Sequence, residues 1–152
     1  MNGEEQGTAG VSFPFPRSVR LLKHSAFDRV YREGRRIFSV NLTVFFRLRG
    51  IDELPTGARV GFTVGRVLGG AVDRNRIKRR MREAVRHHLA MLDVPVDVVI
   101  NPKKTVLQAE FVKLEDEVNR AFQQIGQKSK RAEPATSNRR TGGRQTAKAE
   151  ES

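Results

Sequence analysis

Apolar positions along the chain follow two rhythms. In IFSVNLTVFFRLRG, from Ile37 to Gly50, Phe38, Val40, Leu42, Val44, Phe46 and Leu48 are apolar, whereas Ser39, Asn41, Thr43, Arg47 and Arg49 are polar. A period of two sends alternate side chains to opposite faces of a strand, which gives one core face and one polar face. Phe45 is the exception, an aromatic between Thr43 and Arg47. The stretch ARVGFTVGR repeats the pattern, with Val60, Phe62 and Val64 on one face and Arg59, Gly61, Thr63 and Gly65 on the other. Small residues on that second face either leave room for a ligand near the backbone or accommodate a bulge or a packed helix. After Pro95, VDVVINP predicts a third strand, with Val96, Val98 and Ile100 opposed to Asp97, Val99 and Asn101.

Three stretches carry the helical period instead. Ser25 as a cap, Asp28 three residues on and Gly34 as a left-handed stop predict a helix over 25–33. Phe27, Val30 and Tyr31 share one face of it, and ordinary core contact is the default reading for all three. Gly69 and Gly70 break the second strand, and Asp73 is placed to cap a helix over about 74–92. Its stripe is Ile77, Met81, Ala84, Val85, His88 and Leu92. Leu107, Phe111, Leu114, Val118, Ala121, Phe122 and Ile125 mark a last helix, with Glu115, Asp116 and Glu117 off the stripe. The order predicts an α/β fold of the α+β sandwich kind, with a small central sheet of three main strands. Two amphipathic helices cover its core face, the first helix partly roofs the other, and the strands flanking the second helix form a βαβ crossover.

Domain limits follow from where periodicity stops. Residues 1–18 are rich in Gly, Glu, Gln, Ser and Pro and are expected to be disordered, although Phe13 and Phe15 alternate with Pro14 and Pro16 as a docked extended strip would. Residues 126–152 read as a disordered basic tail, leaving 19–125 as the folded domain. Of the net charge of +12, the three segments carry −1, +9 and +4 in chain order, so the excess sits mainly in the folded part. Absence of cysteine excludes disulfides and thiolate metal sites. The chain has no run of 18 apolar residues and its start lacks the order of a secretory signal, so a cytoplasmic location and no membrane partner are expected.

Charge is densest between Arg66 and Arg86, where eight Lys and Arg face two acids, Asp73 and Glu83. Such a helix repels itself unless a polyanion lies against it, and nucleic acid is the commonest. Arg79, Arg82 and Arg86 project opposite the apolar stripe, and Glu83 is within reach of Arg79 or Arg86. His87 and His88 diverge by about 100° on a helix, and no third ligand accompanies them. His88 reads as a core-edge residue, His87 as exposed or near phosphate, and no metal site is expected on the protein.

AVDRNRIKRRMRE, over residues 71–83, resembles the Arg-Asn-Arg motif of the bacterial ribonuclease P protein component. The match comprises Ala71, Val72, Arg74, Asn75, Arg76, Ile77, Lys78, Arg79, Arg82 and Glu83. The preceding strand and glycine, the first helix with Phe27 and Gly34, and the last amphipathic helix fall in the family's order over about 19–125. The resemblance implies an αβββαβα order with an unusual left-handed βαβ crossover. It implies a protein that binds the catalytic RNA subunit through Arg74, Asn75, Arg76, Lys78, Arg79 and Arg82. It also implies a cleft for the single-stranded 5′ leader of precursor tRNA, at Phe27, Tyr31, Phe45 and Arg66. Hydrolysis of the phosphodiester would fall to the RNA with Mg²⁺, and no catalytic residue is expected on the protein. Phe45 on a polar strand face agrees independently, because an unpaired base offers a π-face for stacking. The chain departs from the family in reading Gly65, Arg66, Val67 where Ser-Lys-Lys is common, and Gly70 where an Asn usually stands.

The main alternative is a non-catalytic RNA-binding ribosomal or assembly protein, which a basic helix on a small sheet would also serve. A DNA-binding recognition helix is disfavoured because a strand and a glycine turn, rather than a helix-turn-helix, precede the basic run. A protein-only nuclease is disfavoured because the clustered acids, Glu115 to Glu117, belong to a different helix from the basic motif.

Overall fold

The computed structural model describes residues 17–137 apart from 51 and 54–56, with side chains over 18–130. Helix α1 spans His24–Glu33 and is followed by strands β1 (Arg35–Phe38), β2 (Leu42–Leu48) and β3 (Arg59–Phe62). Helix α2 (Ala71–Arg86), strand β4 (Val96–Pro102) and helix α3 (Phe111–Ser137) complete the αβββαβα order. The sheet order is β1-β2-β4-β3, with β4 antiparallel to β2 and parallel to β3. Parallel neighbours cannot be joined by a tight turn and need a crossover. Here the crossover is the basic helix.

Four strands stand where three main ones were expected, because the stretch from Phe38 to Leu48 folds back at residues 39–41. The Ser39 amide donates to the Leu42 carbonyl at 3.0 Å, and Phe38 pairs with Thr43. This reverses the face on which Phe38 lies: Ile37, opposite Val44, points to the core, and Phe38 joins the polar face, 70% exposed. Val40, also expected in the core, lies at the turn and is 77% exposed. Ser39 and Asn41 suit a turn as well as a polar strand position, and contacts distant in sequence select the turn. Glu117 of α3 accepts hydrogen bonds from Ser39 Oγ at 2.5 Å, the Asn41 amide at 2.9 Å and Asn41 Nδ2 at 2.6 Å.

The core lies between the inner sheet face and helices α2 and α3. Val44, Phe46, Val60, Val98 and Ile100 meet Ile77, Met81 and Val85 of α2 and Leu114, Val118, Phe122 and Ile125 of α3. Each large apolar side chain so buried contributes roughly 1.5–3 kcal/mol. Several helix ends differ from the sequence reading. Lys23, not Ser25, is the N-cap of α1, and Gly34 is extended (φ −89°) rather than left-handed. Glycine is required at position 34 for space, since a Cβ would lie 2.5 Å from the Phe46 carbonyl oxygen. Gly70 is the N-cap of α2, and Asp73 sits inside the first turn, where its charge suits the positive helix end. Helix α2 stops at Arg86, and a separate 3-10 turn, Leu89–Met91, leads to Leu92, which is buried in the core. Helix α3 continues past the boundary expected at 125, its buried stripe extended by Ser129 and its sequence supplied with Gln, Lys and Ala, which are good helix formers. The remaining expected disordered residues, 1–16 and 138–152, lie outside the described residues.

Three polar devices fix the elements around this core. Asp97 on β4 accepts from Arg49 Nη1, from Arg59 Nε at 2.9 Å and from Arg59 Nη2 at 2.9 Å. Arg49 also donates to the Gly57 carbonyl. Burial lowers the pKa of Arg49, and Asp97 opposes that shift by favouring the charged form. Arg47, nearly buried, pairs with Glu33 at 3.3 Å and with Glu53 at 2.9 Å, tying the end of α1 to β2. Arg80 turns away from the other cations of α2. Its Nη1 donates to the Val106 carbonyl and its Nη2 to the Ala109 carbonyl at 2.7 Å, anchoring α2 to the segment before α3.

Replacing Asp97 by Ala leaves two arginines without their shared partner and is expected to lower unfolding free energy by about 3–5 kcal/mol in urea denaturation. Arg80→Ala is expected to lose about 1–3 kcal/mol in the same assay, whereas Arg79→Ala stays within about 0.5 kcal/mol of wild type. Glu33 titrates below its ordinary value of 4.5: burial acts to raise it, but hydrogen bonds and charge from Arg29 and Arg47 outweigh that. A lowered folded pKa means that the unfolded chain binds protons more readily, so this contribution is complete above 4.5 and lost as pH falls through the folded value. The stability difference between wild type and Glu33→Gln is therefore expected to hold above pH 4.5 and to shrink as pH falls below it.

Candidate nucleic-acid interface

The outer sheet face is divided into three rows by its register. Arg47, Asp97 and Arg59 form the first, closed by the ion pairs just described. Arg36, Phe45, Val99 and Gly61 form the second, and Phe38, Thr43 and Asn101 the third, continued by Thr63. Helix α1 covers the second row. Val30 is fully buried there with Leu21 and Val99, and Ala26, Phe27 and Phe45 pack against them.

The aromatic residues expected in the cleft are thus brought together, but in different settings. Phe27 is chiefly a packing residue: a Cβ on Gly61 would lie 2.5 Å from its ring tip and 2.9 Å from the Leu21 carbonyl oxygen. Gly61 therefore serves helix packing, one of the two readings open for the small residues of β3. Gly65 fits the other, since a Cβ built there meets nothing within 4 Å. Tyr31 stands at the helix margin, 38% exposed, with its ring edge-on to Phe45 at 4.9 Å. Its hydroxyl donates to Asn101 Oδ1 at 2.9 Å and shares a 2.7 Å hydrogen bond with Thr63 Oγ1.

What remains open is a trough across the strands. Its floor is Phe38, Thr43, Asn101 and Thr63, and Tyr31 and Phe45 form one wall. Lys103, which donates from Nζ to the Ser39 carbonyl at 3.2 Å, and Lys104 lie beyond β4 and are exposed. Past Thr63 the chain passes exposed Gly65 and Arg66 in a 3-10 turn, takes a positive φ at Gly69, and enters α2. The trough therefore leads toward the start of the basic helix.

On α2, Asn75, Arg76, Lys78, Arg79 and Arg82 are exposed, and Arg74 is half-buried. None of these cations forms an ion pair among the described residues. Arg80 and Arg86 differ from them: the first binds backbone carbonyls and the second pairs with Glu83. Helical periodicity placed Arg79, Arg82 and Arg86 opposite the core stripe. The first two are exposed without an ion pair among the described residues, and the third is held by Glu83. The partners of Arg80 lie in the 104–109 segment and left no local signal. The acids Glu115, Asp116 and Glu117 are each engaged, with His87, Arg120 and the 39–41 turn respectively. His87 binds Glu115 Oε2 through Nδ1 at 2.6 Å, a contact that sequence spacing did not indicate. Among the described residues no three of His, Cys, Asp or Glu gather as a metal site, and no helix is long and apolar enough to cross a membrane.

Comparison with known proteins agrees with this architecture. The family model for ribonuclease P matches residues 15–126. The ribonuclease P protein component of Acidothermus cellulolyticus is 35% identical over 112 residues, covering 74% of this chain and 92% of that one. That of Finegoldia magna is 35% identical over 99 residues, covering 65% of this chain and 83% of the relative. The solved structure of the ribonuclease P protein from Thermotoga maritima superposes with a TM-score of 0.60 at 25% identity, covering 69% of this chain and 96% of that one. A free cationic row on the crossover helix of an αβββαβα sandwich, together with these matches, places the chain in the family of bacterial ribonuclease P protein components.

Proposed function

We propose that the chain is the protein subunit that binds the catalytic RNA of ribonuclease P through α2 and the 5′ leader of precursor tRNA through the sheet trough. The observation that carries this reading is the continuity of two unlike surfaces. A row of exposed, unpaired cations suits the phosphates of a folded RNA. An aromatic-walled trough, floored by hydroxyl and amide groups, suits unpaired bases that can stack and hydrogen-bond. In this reading Arg74, Asn75, Arg76, Lys78, Arg79 and Arg82 hold the RNA subunit. Tyr31 and Phe45 contact leader bases, Phe27 supports them from beneath α1, and Arg66 meets the backbone where trough and helix join. Mg²⁺ held by the RNA subunit supplies the hydrolytic chemistry that matures the tRNA 5′ end. The contribution of this chain is to bind and orient, for which cations, hydroxyls and aromatics suffice.

Reconstitution with the RNA subunit and labelled precursor tRNA tests the assignment. The complex is expected to cleave at low Mg²⁺ where the RNA alone is slow, and the purified protein alone is expected to be inactive. Metal-dependent cleavage by the protein alone would overturn this division of labour, and no stimulation would favour a ribosomal or assembly role. Arg76→Ala is expected to weaken binding to the RNA subunit and to reduce the salt dependence by about one phosphate contact. Phe45→Ala is expected to cost about 1–3 kcal/mol of affinity for substrates with long leaders. An equal loss with leaderless tRNA would argue against the trough.

A further inference from the structure

The fold-back at residues 39–41 presents a residue of the trough floor to which the leader reading assigns no contact. Phe38 is a large aromatic, 70% exposed, on the outermost strand and on the same face as Phe45. The Arg36 guanidinium stands 5.3 Å from the centre of its ring. Because Arg36 lies opposite Phe45 and Phe38 opposite Thr43, Phe38 and Phe45 are diagonal neighbours across the β1–β2 pair. Diagonal positions in an antiparallel pair lie about 7–8 Å apart, a gap that an extended nucleotide strand can bridge.

We propose that Phe38 and Arg36 form an additional nucleobase subsite, at the end of the trough farthest from α2. This inference rests on the leader reading above. Stacking on Phe38 holds a base of the single strand, and Arg36, already against the ring, meets its phosphate or its second face. Three observations favour single-stranded nucleic acid over an apolar protein surface as the occupant. The exposed charged side chains beside it, Arg36 and Lys103, are cationic, and the nearby Glu117 is taken up by hydrogen bonds to the turn. The trough floor of Thr43, Asn101 and Thr63 continues directly from Phe38. The turn beneath is held by Glu117 and Lys103, so the ring is presented on a fixed backbone.

The test uses the full chain reconstituted with the RNA subunit and precursor tRNAs in three forms: leaderless, with a short leader ending near Phe45, and with a longer leader. Phe38→Ala is expected to weaken binding of the long-leader substrate about five- to twentyfold, and to leave the short-leader and leaderless substrates unchanged. Phe38→Tyr restores the long-leader affinity. 2-Aminopurine placed along the long leader shows quenching at one position that Phe38→Ala relieves, distinct from the position relieved by Phe45→Ala. Thermal melting verifies that the variants fold. Wild-type affinity of Phe38→Ala for the long leader, with Phe45→Ala still defective, overturns the subsite and leaves the leader reading standing. Loss of leader dependence in neither variant overturns both. A loss in Phe38→Ala that is equal for leaderless substrate, or a change in self-association instead, overturns the subsite by assigning Phe38 to the RNA subunit or to a protein contact.

Discussion

Parallel pairing of β3 with β4 is the constraint on which the arrangement depends. Two parallel strands side by side require a connection that leaves the sheet and returns, and in this chain that connection is α2. The helix packs back on the sheet through Ile77, Met81, Ala84 and Val85, so its opposite face must point outward. The cations there are displayed by topology and by the apolar stripe together. Arg80 shows the same logic from the other side, since at the boundary between stripe and open face it is taken up by backbone carbonyls of the neighbouring segment.

The central strand β4 is covered on both faces, which explains why Val96 to Ile100 are all buried. Its outer face changes character along its length. Asp97 closes one end through Arg49 and Arg59, Val99 packs under α1 in the middle, and Asn101 opens into the trough at the other end. One strand thus carries, in alternate residues, an electrostatic lock, a helix dock and a polar group bonded to the Tyr31 hydroxyl. Charge alone does not separate the cations of this fold: Arg47, Arg49 and Arg59 are held by carboxylates, whereas among the described residues the exposed cations of α2 have no carboxylate partner.

The periodic parts of the structure were legible from residue order. The stripe of α2, both faces of β4 and the parallel crossover follow from hydrophobic spacing, and Phe45 was marked by being apolar where its neighbours were polar. Features fixed by distant contacts were not legible. The alternation Phe38, Val40, Leu42 runs unbroken through the turn, and only the grip of Glu117 on Ser39 and Asn41 reveals that Phe38 changes face. Similarly, the wheel position of Arg80 did not disclose its carbonyl partners, and the amphipathic stripe that defined α3 weakened before the helix itself ended. The roles of Phe27 and Gly61 could not be separated from spacing, because a ring resting on a glycine and a ring awaiting a base produce the same sequence.

Short edge strands bring a further consequence. A sheet edge with unpaired amides and carbonyls invites strand addition by another chain. At β3 that invitation is blocked by the chain itself: Arg20 bridges to Val60, and the Leu21 amide donates to the Val60 carbonyl at 3.0 Å. At β1 the strand is four residues long and carries Arg35 and Arg36, whose charge opposes the approach of a second copy. The positive charge of this short edge therefore helps keep the protein from polymerising through it.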